Sequence, residues 1–349
     1  MLQATNGEMY SVTNEEIEKA QMLFEKLEGI SIVPEGGVTV ASLQQAVSRE
    51  TISPQDSILL NVTGGGRKEI KKERMHIEPY KFLTKKLQVN QKSLEEKIQH
   101  SKELIQEAVQ TYGNRVAVAC SWGKDSMVLL HLARTVNPDI PIFSVLTIFK
   151  PKDTFEFIVK VVQQYNIKPH IFMVGDTTPE VLKKNNITVT LLPMEEYRRQ
   201  AEKIKKETGH EIYYEDPDLC CKLLKVVPVR YAYTTLGLRA WFSGLRNSEG
   251  YTRKYIPETE KISDHETKIN PILTWTEEEI WKYIKNNKLL AHPWYRKKYE
   301  DGRRIRSLGC SPCTVPIFDH ESERDGRWRK TLKKGGECGI HTRSSSERT

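Results

Sequence analysis

Three groups of side chains in this chain have types and spacings that could do chemistry. The first is four cysteines in two tight pairs, Cys220-Cys221 and Cys310-x-x-Cys313. Four thiolates so arranged satisfy either a [4Fe–4S] cluster or a tetrahedral zinc, and an adjacent Cys-Cys pair is unusual for a zinc ribbon. The second is Cys338, alone in Glu337-Cys338-Gly339-Ile340-His341. Arg324, Arg327, Arg329, Lys330, Lys333 and Lys334 precede it and His341 follows. Positive neighbours lower a thiol's pKa and raise its thiolate fraction, and they also attract an anionic substrate. The third is Ser121-Trp122-Gly123-Lys124-Asp125-Ser126. Gly123 would let the backbone approach an anion, Ser121 and Ser126 would add hydroxyl donors, and Lys124 would add charge. The spacing is not that of a Walker A loop.

That third group gains meaning from the elements around it. Val116–Cys120 is a short apolar, β-rich run and Met127–Arg134 reads as a helix. The loop therefore joins a strand to a helix, where unpaired N–H groups and the positive dipole end favour phosphate. Strands over Ile142–Ile148 and His170–Val174 flank a helix over Thr154–Tyr165, and Trp241–Gly244 reads as a further strand. Alternation of this kind predicts an α/β fold with a doubly wound, mostly parallel sheet. A helix over residues 93–112 leads into it, and Thr276 with Glu279 opens another as a capping box. After Lys297 the chain is rich in Arg, Gly and Cys and poor in periodicity, which predicts an irregular C-terminal segment.

The chain before this domain is organised differently. Residues 1–66 read as a small N-terminal α/β piece. Thr13 and Glu16 form a capping signal, a helical pattern runs from Ile17 to Leu27, and Gly29 ends it. A second helix is expected over Val40–Val47 and a short strand over Ser57–Val62. Residues 67–92 are charged, lack a clear period and read as a linker. Residues 344–349 read as a disordered tail.

With 349 residues, 54 Lys+Arg against 46 Asp+Glu and 38% apolar residues, the chain is globular and carries a net charge of +8. No apolar run approaches the length of a membrane span. The first residues lack a charged segment followed by an apolar one, so the expected compartment is the cytosol, where metal ligation or redox catalysis outranks structural disulfides. Charge alone does not separate solvated helix faces from a surface for nucleic acid or a small polyanion.

Several of these segments resemble one family. SWGKDSMVLLHLA resembles the PP-loop, usually S-G-G-x-D-S, of the adenine nucleotide α-hydrolase-like superfamily, with Trp122 in place of the first Gly. The four paired cysteines match the CC…CxxC pattern of cluster-containing adenylyl-sulfate reductases. CCKLLKVVPV places Lys225 at that family's cluster-proximal lysine. LRAWFSGLRNSEGYTR places Arg246 and Arg253 at arginines that meet the substrate anion. Arg324-Asp325-Gly326-Arg327-Trp328 resembles R-x-G-R-W, and ECGIH resembles the nucleophile motif E-C-G-L-H. The likeness spans roughly residues 93–343.

The resemblance implies a sulfonucleotide reductase of the adenylyl-sulfate/phosphoadenylyl-sulfate (APS/PAPS) family. Cys338 would be the nucleophile, and Cys220, Cys221, Cys310 and Cys313 would hold a [4Fe–4S] cluster, with zinc second. Ser121, Gly123, Lys124, Asp125, Ser126, Lys225, Arg246, Arg253, Arg324, Arg327 and His341 would bind substrate. A thioredoxin-type dithiol would be the reductant. Cluster cysteines favour APS over PAPS. Where the family often has Asp-Thr-Gly after the second strand, this chain has Leu146–Lys152, which bears on the sugar contacts. An ATP-dependent PP-loop sulfurtransferase acting on RNA is the alternative from another class; nucleic acid is not the expected partner, and a homo-oligomer is left open. The segment SIVPEGGVTVASLQQAV…SPQDSILLNVTGGG resembles the C-terminal end of fold-type II pyridoxal-phosphate enzymes such as threonine synthase and cysteate synthase. Without a Schiff-base lysine segment it reads as a relic or an interaction module, with a sulfite-using enzyme as the matching partner.

Overall fold

A computed structural model of the chain describes residues 7–53, 55–62, 92–254, 256–333 and 337, with the backbone alone at Tyr251. Cys338, His341, the tail 344–349 and nearly all of the expected linker lie outside the described residues. The described residues fall into two compact units, divided between residues 62 and 92.

The N-terminal unit is a pair of helices, α1 (Asn14–Glu28) and α2 (Pro34–Ser48). Thr13 and Glu16 form the expected capping box, and Gly29 closes α1 at φ 69°, a conformation glycine adopts without strain. Helix α2 starts six residues earlier than its hydrophobic period suggests, because Pro34 sits in its first turn, where a missing N–H costs nothing. A Cβ on Gly37 would meet Gln21 Cγ at 2.8 Å and Ile17 Cγ2 at 2.9 Å, so this glycine serves the close approach of the two helices. Ala20, Ile32, Val40 and Ala41 form the small core, with Leu60 and Val62 packed on it. Residues 57–62, expected as a strand, form no strand; only Leu60 and Val62 are partly buried, packed on that core.

The second unit is an α/β fold around a seven-stranded sheet. In chain order its elements are α3 (Leu94–Tyr112), β1 (Val116–Ala119), α4 (Lys124–Val136), β2 (Ile142–Leu146), α5 (Lys152–Tyr165), β3 (His170–Val174), α6 (Glu180–Lys184), β4 (Val189–Leu192) and α7 (Glu195–Thr208). There follow α8 (Ile212–Glu215), α9 (Pro217–Cys221), a π turn over Lys222–Val226, α10 (Val227–Thr235), β5 (Ala240–Phe242), β6 (Thr259–Ser263), β7 (Glu266–Ile269) and α11 (Glu277–Asn286). The strand order is β4-β3-β2-β1-β5-β7-β6, parallel except for β6 against β7. The doubly wound, mostly parallel sheet expected from the alternation is thus present. Strand β6 forms an edge rich in charged and polar residues (Thr-Glu-Lys-Ile-Ser), which discourages pairing with another chain.

Both faces of the sheet are covered. Val116, Val118, Leu129, Ile142, Phe242 and Trp275 belong to one core, and Ala117, Phe143, Phe172, Leu224 and Trp241 to the other. The chain runs outward from β1 through β2, β3 and β4, then returns to place β5 on the other side of β1. That reversal is a topological switch point, and in open α/β sheets the crevice beyond the strand C-termini there receives the ligand. No helix among the described residues is long and apolar enough to cross a membrane.

Candidate active site

The loop after β1 and the loop after β5 open a cleft of about 200 Å³ at the switch point. Ser121, Gly123, Asp125 and Ser126 line it from the first, Ser243, Gly244 and Leu245 from the second, and Lys150, Lys225, Arg253, Arg324 and Arg327 supply positive charge. Gly123 caps α4; a Cβ there would meet Tyr295 Oη at 3.1 Å. The Lys124 N–H donates to Tyr295 Oη (3.2 Å), and the glycine cap brings no side chain to the N–H groups that follow. The helix start keeps its capacity for an anion. Ser126 Oγ donates to Gly123 O (2.9 Å) and Ser121 Oγ to Ser126 Oγ (3.3 Å), which fixes the turn.

Two expected substrate contacts lie elsewhere. Lys124 and Arg246 are fully buried and are absent from the cleft lining. Lys124 Nζ pairs with Glu323 and Asp125 and donates to Arg306 O (3.0 Å). Arg246 donates to Asp125 Oδ1 (2.6 Å), to both oxygens of Glu323 (2.7 and 2.6 Å) and to Ser248 Oγ (2.9 Å). Burial would lower the Lys124 pKa, but Asp125 and Glu323 hold it above the usual lysine range. Burial likewise opposes ionisation of Glu249, yet Arg253 and Arg246 keep it at about 2. Three carboxylates, Asp125, Glu249 and Glu323, lie within 4.8 Å of one another, and their oxygens are already engaged by Lys124, Arg246 and Arg253. The cluster is a charge lattice that holds the floor of the cleft.

Lysine and arginine side chains that do face the cleft are crowded. Burial and the neighbouring Arg253 push Arg324 down to about 10, although Glu337 opposes this. Burial pushes Lys150 down to about 8; the Cys310 thiol opposes the shift, while Lys225 and Arg327 add to it. Arg327 lies over the Trp328 ring (4.5 Å to the centroid) and donates to Leu308 O (3.0 Å), while its buried Nε has no acceptor. A Cβ on Gly309 would fall 2.4 Å from the Arg327 Cζ, so only glycine admits the guanidinium here. Such a wall favours an incoming anion. Cys120 also lines the cleft; burial raises its thiol to about 11, leaving it protonated and inert.

Behind this wall the four paired cysteines converge. Cys220 and Cys221 end α9; Cys310 and Cys313 bracket a 3₁₀ turn. All four are buried and line one small cavity with Thr147, Phe149, Tyr213, Pro217, Leu224 and Lys225. Thr147 Oγ1 lies 3.2 Å from Cys310 Sγ, and Ser311 N donates to Phe149 O (2.8 Å). The four thiols are the ligand-type donors, in a mostly apolar shell with the Thr147 hydroxyl and Lys225 beside them, which suits a thiolate-bound iron–sulfur cluster. Lys225 borders both the cavity and the cleft. Trp328 packs against Cys221, Cys310 and Cys313, and its backbone N–H donates to Cys313 O (2.9 Å), so Arg324 and Arg327 are carried on a segment seated against the cysteines.

Comparison with known proteins bears on the same region. Residues 115–316, more than half of the chain, match the family model of the phosphoadenosine phosphosulfate reductase domain. The chain belongs to this family. The adenosine 5'-phosphosulfate reductase of Halalkalibacterium halodurans is 33% identical over 264 residues, covering 74% of this chain and 100% of that protein. Adenosine 5'-phosphosulfate reductase 1 of Bacillus subtilis is 35% identical over 233 residues, covering 66% and 85%. Among solved structures, the phosphoadenylyl-sulfate (PAPS) reductase of Candida auris in a phosphate complex aligns with a TM-score of 0.46 and 20% identity, covering 69% of this chain and 99% of that one.

Four residues of this reductase-family site escaped sequence reasoning. Glu323 neighbours the R-x-G-R-W motif and Glu337 begins ECGIH, yet sequence reasoning assigned neither a role. Lys150 lies in the stretch where the chain departs from Asp-Thr-Gly. Tyr295, on a 3₁₀ turn over Pro293–Arg296, carried no local signal.

Proposed function

We propose that this chain reduces adenylyl sulfate to sulfite and AMP. The observation that carries the reading is the cationic wall shared by a phosphate-type loop and a cavity of four thiols. The nucleotide phosphate would sit at the start of α4, and Lys150, Lys225, Arg324 and Arg327 would face the sulfuryl oxygens. Arg supplies paired donors to such groups, and positive charge stabilises the departing phosphate as the bond to sulfur breaks.

Cys338, whose position lies outside the described residues, would act as the nucleophile. Its thiolate attacks sulfur, the S–O bond to the phosphate breaks with the electron pair going to AMP, and an S-sulfo-cysteine remains. A thiolate of a thioredoxin-type dithiol attacks the Cys338 sulfur and releases sulfite; its second thiol then frees Cys338 and closes the dithiol to a disulfide. Two electrons pass from the dithiol to sulfur. Cys220, Cys221, Cys310 and Cys313 would hold a [4Fe–4S] cluster, which would contribute electrostatic tuning beside Lys225. His341 would add a further donor to the substrate. The reaction belongs in the cytosol, where such dithiols are kept reduced. The N-terminal unit would serve as an interaction module for a sulfite-using enzyme, a role that co-purification with such an enzyme would support.

The test is sulfite release by the anaerobically purified protein with a reduced dithiol. APS is expected to give sulfite and AMP faster than PAPS. Faster turnover of PAPS would reverse the nucleotide assignment, and ATP cleavage without sulfite would move the chain to the sulfurtransferases.

A further inference from the structure

Glu337 is a buried carboxylate, 6% exposed, at the residue before Cys338. Arg253 grips it with both arms of its fork, Nε to Oε2 and Nη2 to Oε1, each at 2.7 Å. Arg324 Nη2 donates to Oε1 at 2.9 Å, and Thr252 Oγ1 donates to Oε2 at 3.4 Å. Burying a carboxylate is costly unless it is paired in this manner, and a two-point fork fixes its orientation as well as its charge. The grip is rigid at its base. Arg253 is itself paired with Glu249, which accepts from the Arg246 backbone N–H (2.9 Å), and Arg246 is paired with Asp125 in the phosphate-type loop. A continuous run of charges thus links the loop to residue 337.

Arg253 and Arg324 both line the cleft. The peptide bond after Glu337 leads to Cys338, and consecutive Cα atoms are about 3.8 Å apart. We infer that Glu337 is a positioning residue: its carboxylate, held by Arg253 and Arg324, seats the C-terminal segment on the cleft wall and presents the Cys338 thiol to the sulfuryl group. This rests on the reading of Cys338 as nucleophile given above. It assigns Arg253 a task beyond substrate binding, because its fork is directed at the protein's own carboxylate.

The test compares the wild-type holoenzyme with Glu337→Gln and with Arg253→Lys, which keeps the charge and loses the fork. Three quantities are read: the single-turnover rate of S-sulfo adduct formation at saturating APS, the affinity for AMP, and the rate at which iodoacetamide alkylates Cys338 without nucleotide. For both variants the adduct rate is expected to fall about 10- to 100-fold, the size of effect a misplacement of about 1 Å produces. AMP is expected to bind no more weakly to Glu337→Gln than to wild type, and alkylation to quicken several-fold as the thiol leaves its seat. An unchanged adduct rate in Glu337→Gln would overturn the inference. So would a loss of AMP affinity that accounts for the fall in rate, since Glu337 would then merely support the nucleotide site. If Glu337→Gln fails to fold, Arg253→Lys decides on all three quantities, a slower adduct rate with quicker alkylation and unchanged AMP affinity being the supporting result and a matching loss of AMP affinity the overturning one. A wild-type protein that forms no adduct would sink the proposed activity, whereas a wild-type adduct with an undisturbed variant would sink only the role of Glu337.

Discussion

The Trp122 indole Nε1–H donates to Ser144 Oγ at 2.8 Å, with both residues fully buried beneath the phosphate-type loop. Trp122 has φ +66°, the left-handed conformation that a loop beginning Ser-Gly-Gly would meet with glycine. Holding a tryptophan there costs on the order of 1 kcal/mol, which its burial and the bond to Ser144 offset. Ser144→Ala is expected to strand the indole N–H and lower stability by about 1–3 kcal/mol in urea unfolding. An unchanged midpoint would show that the hydroxyl does not hold the loop.

Glu323 accepts from Lys124 and from Arg246, both fully buried. Removing it leaves two buried cations sharing Asp125. Glu323→Ala is therefore expected to destabilise the domain by about 3 kcal/mol or more, the usual cost of breaking a buried pair from one side. Denaturant unfolding measures this, and a loss below about 1 kcal/mol would mean that water replaces the carboxylate.

Lys150 faces the cleft beside Lys225 and Arg327. Lys150→Met keeps the stem and removes the charge. An unreactive sulfonucleotide analogue, which carries the sulfuryl oxygens that AMP lacks, is expected to bind roughly tenfold more weakly, equivalent to about 1.4 kcal/mol, by titration calorimetry. Equal affinity would take Lys150 out of the anion site.

His292, fully buried, bears on acid stability. Its Nδ1 accepts from the Trp294 backbone N–H (3.2 Å) and its Nε2 lies 3.0 Å from Thr154 Oγ1, a pattern that suits the neutral ring. Burial, with Lys150 and Lys297 adding to it and Asp153 opposing, pushes its pKa from 6.5 down to about 4. A folded pKa below the unfolded one means that the unfolded chain binds more protons between those values. Stability should then fall as pH drops from about 6.5 to about 4, by up to about 3 kcal/mol from this one residue. His292→Asn, titrated by urea unfolding at several pH values, should show a smaller loss across that window. An identical slope would assign the effect to other groups.

Much of this arrangement was legible in the sequence where chemistry and period coincide. The strand–loop–helix around Gly123, the capping boxes at Thr13 and Thr276, and the doubly wound sheet follow from local signals. The roles of Lys124 and Arg246 did not. A cation inside a motif reads as a ligand for substrate, and only packing reveals that Glu323, far along the chain, neutralises it. The helix expected over Val40–Val47 is present, but its start at Pro34 was missed, because the close approach to Ile17 and Gln21 that justifies Gly37 is tertiary. Lys150 and Glu337 were given no role for a related reason, since the residues they face, Lys225 and Arg327 for one and Arg253 and Arg324 for the other, are brought there by the fold.

The central claim is that the Cys338 thiolate takes the sulfuryl group from a sulfonucleotide. Intact-protein mass spectrometry under anaerobic conditions tests it directly, with reduced protein incubated separately with adenylyl sulfate, phosphoadenylyl sulfate and ATP. A sulfonate adduct that maps to Cys338, forms fastest with adenylyl sulfate, and is absent from Cys338→Ser is the predicted result. No adduct with either sulfonucleotide, together with cleavage of ATP to AMP and pyrophosphate, would contradict it.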